Sequence, residues 1–196
     1  PPSIAERLKE NESTIADAFD EATILFADIV GFTTFSAQVP AGHVVNMLNK
    51  VFSAFDDLAQ EHGLEKIKTI GDAYMVASGL PTQCTDHAER MAKMALGMIE
   101  VVEGISLEYG NLRVRIGINS GPVVAGVIGK KKFIYDLWGD AVNTAARMES
   151  HGLAGEIQVS QTTYELLKDT CTLESRGSIP IKGKGDMNVY LLRGLR

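Results

Sequence analysis

The sequence predicts an α/β sandwich: a ferredoxin-like βαββαβ core followed by a C-terminal α/β extension. Three observations carry this. The apolar run Thr23 to Ala27 reads as a strand buried on both faces. Two β-prone runs, Lys66 to Ile70 and Ala73 to Ala77, flank Gly71-Asp72, the short-range signature of a hairpin, because Gly accepts positive φ and Asp tolerates a turn. Two long amphipathic stretches lie on either side of that hairpin, giving strand, helix, hairpin, helix, strand in order.

Taken along the chain, Ser3 to Asp17 mixes helix formers with charges and has little apolar surface, so it reads as a linker or short helix; residues 1–20 are expected to form a connector and 21–196 one domain. Asp28 ends the first strand. Gly31-Phe32-Thr33-Thr34 then opens a helix, where backbone N–H groups of a glycine turn can either serve only as a helix entry or point at phosphate oxygens. Val44, Val45, Leu48, Val51, Phe52, Phe55, Leu58 and Ala59 recur at spacings of three and four and predict a helix over Ala41 to Glu61 with one core-facing side; His62-Gly63 closes it. Gly79-Leu80-Pro81 ends the hairpin. Asp86 to Glu103 predicts a second helix with Ala88, Met91, Ala92, Ala95, Met98, Ile99 and Val102 inward. Leu112 to Asn119 reads as a strand, Gly121-Pro122 as a turn, Val123 to Ile128 as a strand and Lys130 to Lys132 as a solvated hairpin tip. In Asp136 to Ser150, Asp140 can cap a helix that carries Asn143 and Arg147 four residues apart, hence on one face. Strand Ile157 to Ser160, helix Gln161 to Lys168 and strands near Leu173 and Val189 to Leu192 complete the extension.

Composition narrows the function classes. At 196 residues, 45% hydrophobic and 22% charged, one globular domain is expected. The net charge of −6 offers no basic stripe and argues against a nucleic-acid partner. Cys84 and Cys171 lie far apart without a CxxC partner, which points to a reduced setting. His43, His62, His87 and His151 show no metal-ligand spacing and read as surface or helix residues. No apolar run approaches the ~18 residues needed to cross a bilayer, and no signal-peptide pattern opens the chain. The domain is therefore expected to be cytoplasmic, with any membrane anchor in segments outside this sequence.

Two acids stand out. Asp28, at the end of a buried strand and three residues before Gly31, and Asp72, at a hairpin tip, can together hold hard cations through oxygen ligands, a candidate site for Mg²⁺ and nucleotide phosphates. FADIVGFT (Phe26 to Thr33), KTIGDAYM (Lys68 to Met75), INSGPVVAGVIG (Ile118 to Gly129), YDLWGDAVNTAARM (Tyr135 to Met148) and KGKG (Lys182 to Gly185) resemble, in order, the motifs of class III nucleotidyl cyclase catalytic domains. The resemblance runs from about Ala22 to the C-terminus. It implies conversion of a nucleoside triphosphate to its 3′,5′-cyclic monophosphate and pyrophosphate at the interface of a head-to-tail homodimer, with two Mg²⁺ or Mn²⁺ ions per site and an upstream sensor or regulatory domain.

Carried over by position, the resemblance makes Asp28, Asp72 and the Ile29 carbonyl metal ligands, Arg147 the stabiliser of transition-state charge and Asn143 the ribose-orienting group. Lys182, favoured over Lys184, meets the terminal phosphates; Phe32, Thr33 and Arg115 lie on the phosphate side. Lys68 and Asp136 choose the base: lysine donates to adenine N1 and aspartate accepts from the exocyclic amine, whereas guanine offers the opposite pattern. ATP is therefore the expected substrate. The rival readings are a guanylyl cyclase, a diguanylate cyclase, which the turn IGDAY in place of GG(D/E)EF disfavours, and a catalytically silent nucleotide-binding or dimerisation domain. Loss of the acids or the arginine would mark that last case, and all are present.

Overall fold

A computed structural model describes residues 1–10, 14–129 and 132–196; the tip of the lysine run, at 130–131, lies outside the described residues. Within the described residues eight strands join in one mixed sheet: β1 (Ile15–Val30), β2 (Glu65–Ile70), β3 (Ala73–Ser78), β4 (Arg113–Ile128), β5 (Ile134–Trp138), β6 (Ile157–Ser160), β7 (Cys171–Ile181) and β8 (Gly185–Leu195). Among the described residues six helices accompany them: α1 (Pro2–Lys9), α2 (Phe32–Gln38), α3 (Ala41–Glu61), α4 (His87–Tyr109), α5 (Asp140–Ser150) and α6 (Gln161–Leu167). The sheet order β2-β3-β1-β4-β6-β8-β7, with β5 paired to β4, contains the expected ferredoxin-like core in its first four strands.

Burial on both faces explains why β1 is apolar from Ala22 to Ala27 apart from Thr23, its side chains alternating between two cores. Leu25, Ala27 and Ile29 face a core shared with Val51 and Phe55 of α3 and Met91, Met94 and Met98 of α4. Ile24 and Phe26 face the opposite side, where Ala141 and Ala145 of α5 pack with Met75, Ala77, Val123 and Leu137. Of the anticipated α3 face, Val51, Phe55 and Ala59 are buried but Val45 is 62% exposed, and Met47, which apolar spacing did not single out, takes its place in the core.

Three boundaries differ from expectation. The first strand begins at Ile15 and not Thr23, and α4 runs six residues past Glu103 to Tyr109. Gly121-Pro122 is not a turn: β4 runs straight through it. Proline has no N–H to give the ladder, and opposite it β1 carries Asp20 and Glu21 between the pairs Phe19↔Val123 and Ala22↔Gly121. That bulge places two residues against one and absorbs the missing donor. Asp140 is the first residue of α5 and not its cap; Gly139 holds the cap position, with no side-chain cap bond.

Buried polar side chains tie α5 to the sheet. His87, only 2% exposed and so not a surface residue, shares a 2.7 Å hydrogen bond between Nδ1 and Thr23 Oγ1. Thr23 bonds Ser120, which bonds Thr163. Ser160 Oγ bonds Thr163 and donates to Asn119 Oδ1, and Asn119 Nδ2 donates to the Ala141 carbonyl at 3.0 Å. Both cysteines are free.

Candidate active site

Register puts the acids together. Asp28 pairs with Ala73 on one side and Arg115 on the other, so Asp72, one residue before Ala73, stands beside it at the hairpin tip. Gly71 takes φ 58°, the left-handed conformation that turn requires. Asp28, Ile29, Asp72, Arg115 and the Gly31–Thr34 segment line one cleft of about 280 Å³. Gly31 (φ 76°) precedes α2, whose first N–H groups have no partner within the helix. Asp28 Oδ1 is buried without a hydrogen-bond partner among the described residues, which leaves an acceptor of the acidic pair unsatisfied. Among the described residues no three His, Cys, Asp or Glu side chains cluster as a closed metal cage. Two carboxylates and a backbone carbonyl suit a Mg²⁺-like ion that completes its shell with water and substrate phosphates.

Arg115 Nη2 donates to Asp28 Oδ2 at 3.2 Å and lies 3.2 Å from Glu149 Oε2. Burial first, and then the Asp28 carboxylate, push the Glu149 carboxyl up to about 8. Sequence reading missed Glu149, because an acid in the last turn of an amphipathic helix has the signature of a solvated charge. The signal that could have found it is Gly117: a Cβ there would come within 1.9 Å of the Glu149 backbone N, so the glycine lets α5 lie flush on β4 and carries Glu149 under cover.

A second, separate cleft of about 580 Å³ is lined by Asp140, Asn143, Ala146, Arg147, Lys182, Gly183 and Lys184. Asn143 and Arg147 share one face of α5, as expected. Lys184 pairs with Asp140. The Lys182 ammonium and the Arg147 guanidinium have no side-chain partner among the described residues, which leaves two cations facing the cleft without a counter-charge.

Lys68 and Asp136 meet although β2 and β5 are separated by β3, β1 and β4 in the sheet. Lys68 Nζ donates to Asp136 Oδ2 at 2.8 Å, so the sheet curls to bring its edge against the β4–β5 ribbon. Asp136 Oδ1 also accepts from the Leu137 N–H, which fixes the carboxylate plane. The acids thus converge in one cleft, Asn143, Arg147 and Lys182 in another, and Lys68 with Asp136 as a pair.

Residues 14–194 match the family model for the adenylate and guanylate cyclase catalytic domain. An adenylate cyclase of Mycobacterium tuberculosis is 51% identical over 196 residues, covering 99% of this chain and 44% of that protein. Atrial natriuretic peptide receptor 2 of Homo sapiens is 47% identical, covering 100% of this chain and 19% of the receptor. The crystal structure of the guanylate cyclase domain of RhGC from Catenaria anguillulae in complex with GTP superposes with a TM-score of 0.88 at 36% identity, over 92% of this chain and 100% of that one. The chain belongs to the adenylate and guanylate cyclase catalytic domain family. It spans less than half the length of the curated relatives it matches, and no helix among the described residues is long and apolar enough to cross a membrane.

Proposed function

We propose that this chain is an adenylyl cyclase domain that converts ATP to 3′,5′-cyclic AMP and pyrophosphate in sites shared between two copies arranged head to tail. The observation that carries this reading is the division of labour between two clefts of one chain: acids and a glycine turn in the first, uncompensated cations with an amide in the second. Neither is sufficient alone for phosphoryl chemistry; facing each other across a dimer, they complement. An apolar patch on the β4–β5 ribbon supports the pairing of copies. Val124, Ile128, Phe133, Ile134 and Trp138 are each 41–56% exposed there, and the pairs Val124↔Trp138 and Ile128↔Ile134 make the patch continuous across the two strands.

In the reaction the 3′-oxygen forms a bond to the α-phosphorus, the bond from that phosphorus to the pyrophosphate oxygen breaks, and the hydroxyl proton is released. Nucleophile and electrophile belong to one molecule, so the protein acts by folding it into attack geometry and meeting developing charge. Two divalent cations, Mg²⁺ or Mn²⁺, held by Asp28, Asp72 and the Ile29 carbonyl, would lower the pKa of the hydroxyl and neutralise phosphate charge. The N–H groups at Phe32 and Thr33 and the Arg115 guanidinium bind phosphate oxygens on the same side. From the other copy, Asn143 orients the ribose, Arg147 meets the charge that develops on the α-phosphoryl oxygens, and Lys182 holds the terminal phosphates. Lys68 donates to adenine N1 and Asp136 accepts from the exocyclic amine; their 2.8 Å contact supports a preformed donor-acceptor pair matched to adenine.

A guanylyl cyclase is the second reading, favoured by relatives and structures whose names carry guanylate cyclase. Purified protein with Mn²⁺ and either ATP or GTP separates the two: the adenylyl reading expects cAMP from ATP and little cGMP from GTP. Predominant cGMP would replace it with the second reading, and no cyclic product from either nucleotide would leave a silent binding domain.

A further inference from the structure

Arg115 is in an unusual position for a phosphate-binding arginine. One of its terminal nitrogens is 3.2 Å from each of two acids, Asp28 on β1 and Glu149 on α5, while its Nε is buried without an acceptor. Asp28 is a proposed metal ligand. A carboxylate that turns its lone pairs to divalent cations becomes a poor partner for a guanidinium, because both cations compete for the same oxygens. Glu149 is then the acid that remains. It is 9% exposed and its backbone is seated against Gly117, where no side chain could fit, so it cannot swing away with solvent as a surface glutamate would.

We propose that Glu149 is a positioning residue: it holds the Arg115 guanidinium at the mouth of the acidic cleft, aimed at nucleotide phosphates, when Asp28 is engaged by metal ions. This rests on the reading of that cleft as the metal and phosphate site. It also gives α5 two duties. The helix presents Asn143 and Arg147 to one site and, through Glu149, braces the arginine of the other.

The test is equilibrium binding of α,β-methylene-ATP in Ca²⁺, which needs no turnover, measured by titration calorimetry on the dimeric protein. Glu149→Ala is expected to weaken binding about tenfold, the scale of one hydrogen bond to a charged group. Glu149→Gln, whose amide oxygen still accepts from Nη2, is expected to stay within about threefold of the parent. Combining Glu149→Ala with Arg115→Ala should bind no more weakly than Arg115→Ala alone, since the glutamate acts only through the arginine. Should truncation unfold the chain, Glu149→Leu fills the volume and takes its place. Unchanged binding in the Glu149 variants beside weakened binding in Arg115→Ala would overturn the positioning role, as would additive losses in the double variant. Parental binding by Arg115→Ala would instead contradict the phosphate reading of Arg115, and the proposal with it.

Discussion

On the proposed reading, single side chains decide base choice, and a single carboxyl sets a proton balance. Lys68 and Asp136 present a donor and an acceptor held 2.8 Å apart, and reversing both functions should reverse the base. Lys68→Glu with Asp136→Cys is expected to shift the kcat/KM ratio toward GTP by at least about a hundredfold, the scale of two hydrogen bonds exchanged for like-function clashes; an active double variant that still prefers ATP would contradict the pocket. The acid cluster has a signature of its own. Metal-free, the folded chain keeps the Glu149 proton to about pH 8, against an ordinary value of 4.5. Between those limits the folded state binds more protons than the unfolded one. This contribution to stability is therefore complete below about pH 4.5 and is lost as pH rises through 8. Melting temperatures in chelator should fall from about pH 5.5 to about pH 8.5 more steeply in the parent than in Glu149→Gln; parallel curves would show that this carboxyl does not hold its proton. Glu149 carries no local mark of either feature, since its burial depends on Gly117, a strand glycine more than thirty residues away in sequence.

At the scale of elements, the parts legible from sequence were those with strong periodicity or turn chemistry. The helix from Ala41 to Glu61, the hairpin about Gly71-Asp72 and the strand from Ile157 to Ser160 lie where spacing put them. What was missed follows from long-range pairing. Gly121-Pro122 has the local chemistry of a turn, yet β1 offers a bulge at Asp20 and Glu21 that lets the strand continue. Ile15 to Phe19 alternates too weakly to announce a strand, and becomes one by pairing with Val123 to Val127. Of the two readings of His87, surface or helix residue, the second holds: it opens α4 and is buried against the Thr23 hydroxyl. The contact on which the site depends most is α5 against β4. Gly117→Ala puts a methyl group into the helix backbone and should cost at least about 2 kcal/mol, with loss of nucleotide binding. Thermal unfolding checks this; a variant as stable as the parent would mean that α5 is free to lift.

The molecule as a whole gathers the candidate residues in two clefts and not in one. That arrangement was anticipated only through the order of the five motifs; no local pattern predicts which side chains share a cleft. The curl of the sheet that joins Lys68 to Asp136, and the separation of Asp28 and Asp72 from Asn143, Arg147 and Lys182, emerge from the strand order. If two copies complete each other, Asp72→Ala and Arg147→Ala chains are each inactive for opposite reasons, and a heterodimer of the two contains one intact site. The most direct measurement is cyclic nucleotide formation by the two purified variants, alone and after mixing with subunit exchange demonstrated by differential tagging. Each alone should fall by several orders of magnitude, and the mixture should regain about a quarter of parental activity if exchange is random and sites act independently. Mixed dimers that form and remain as inactive as either parent would contradict a site built from two chains.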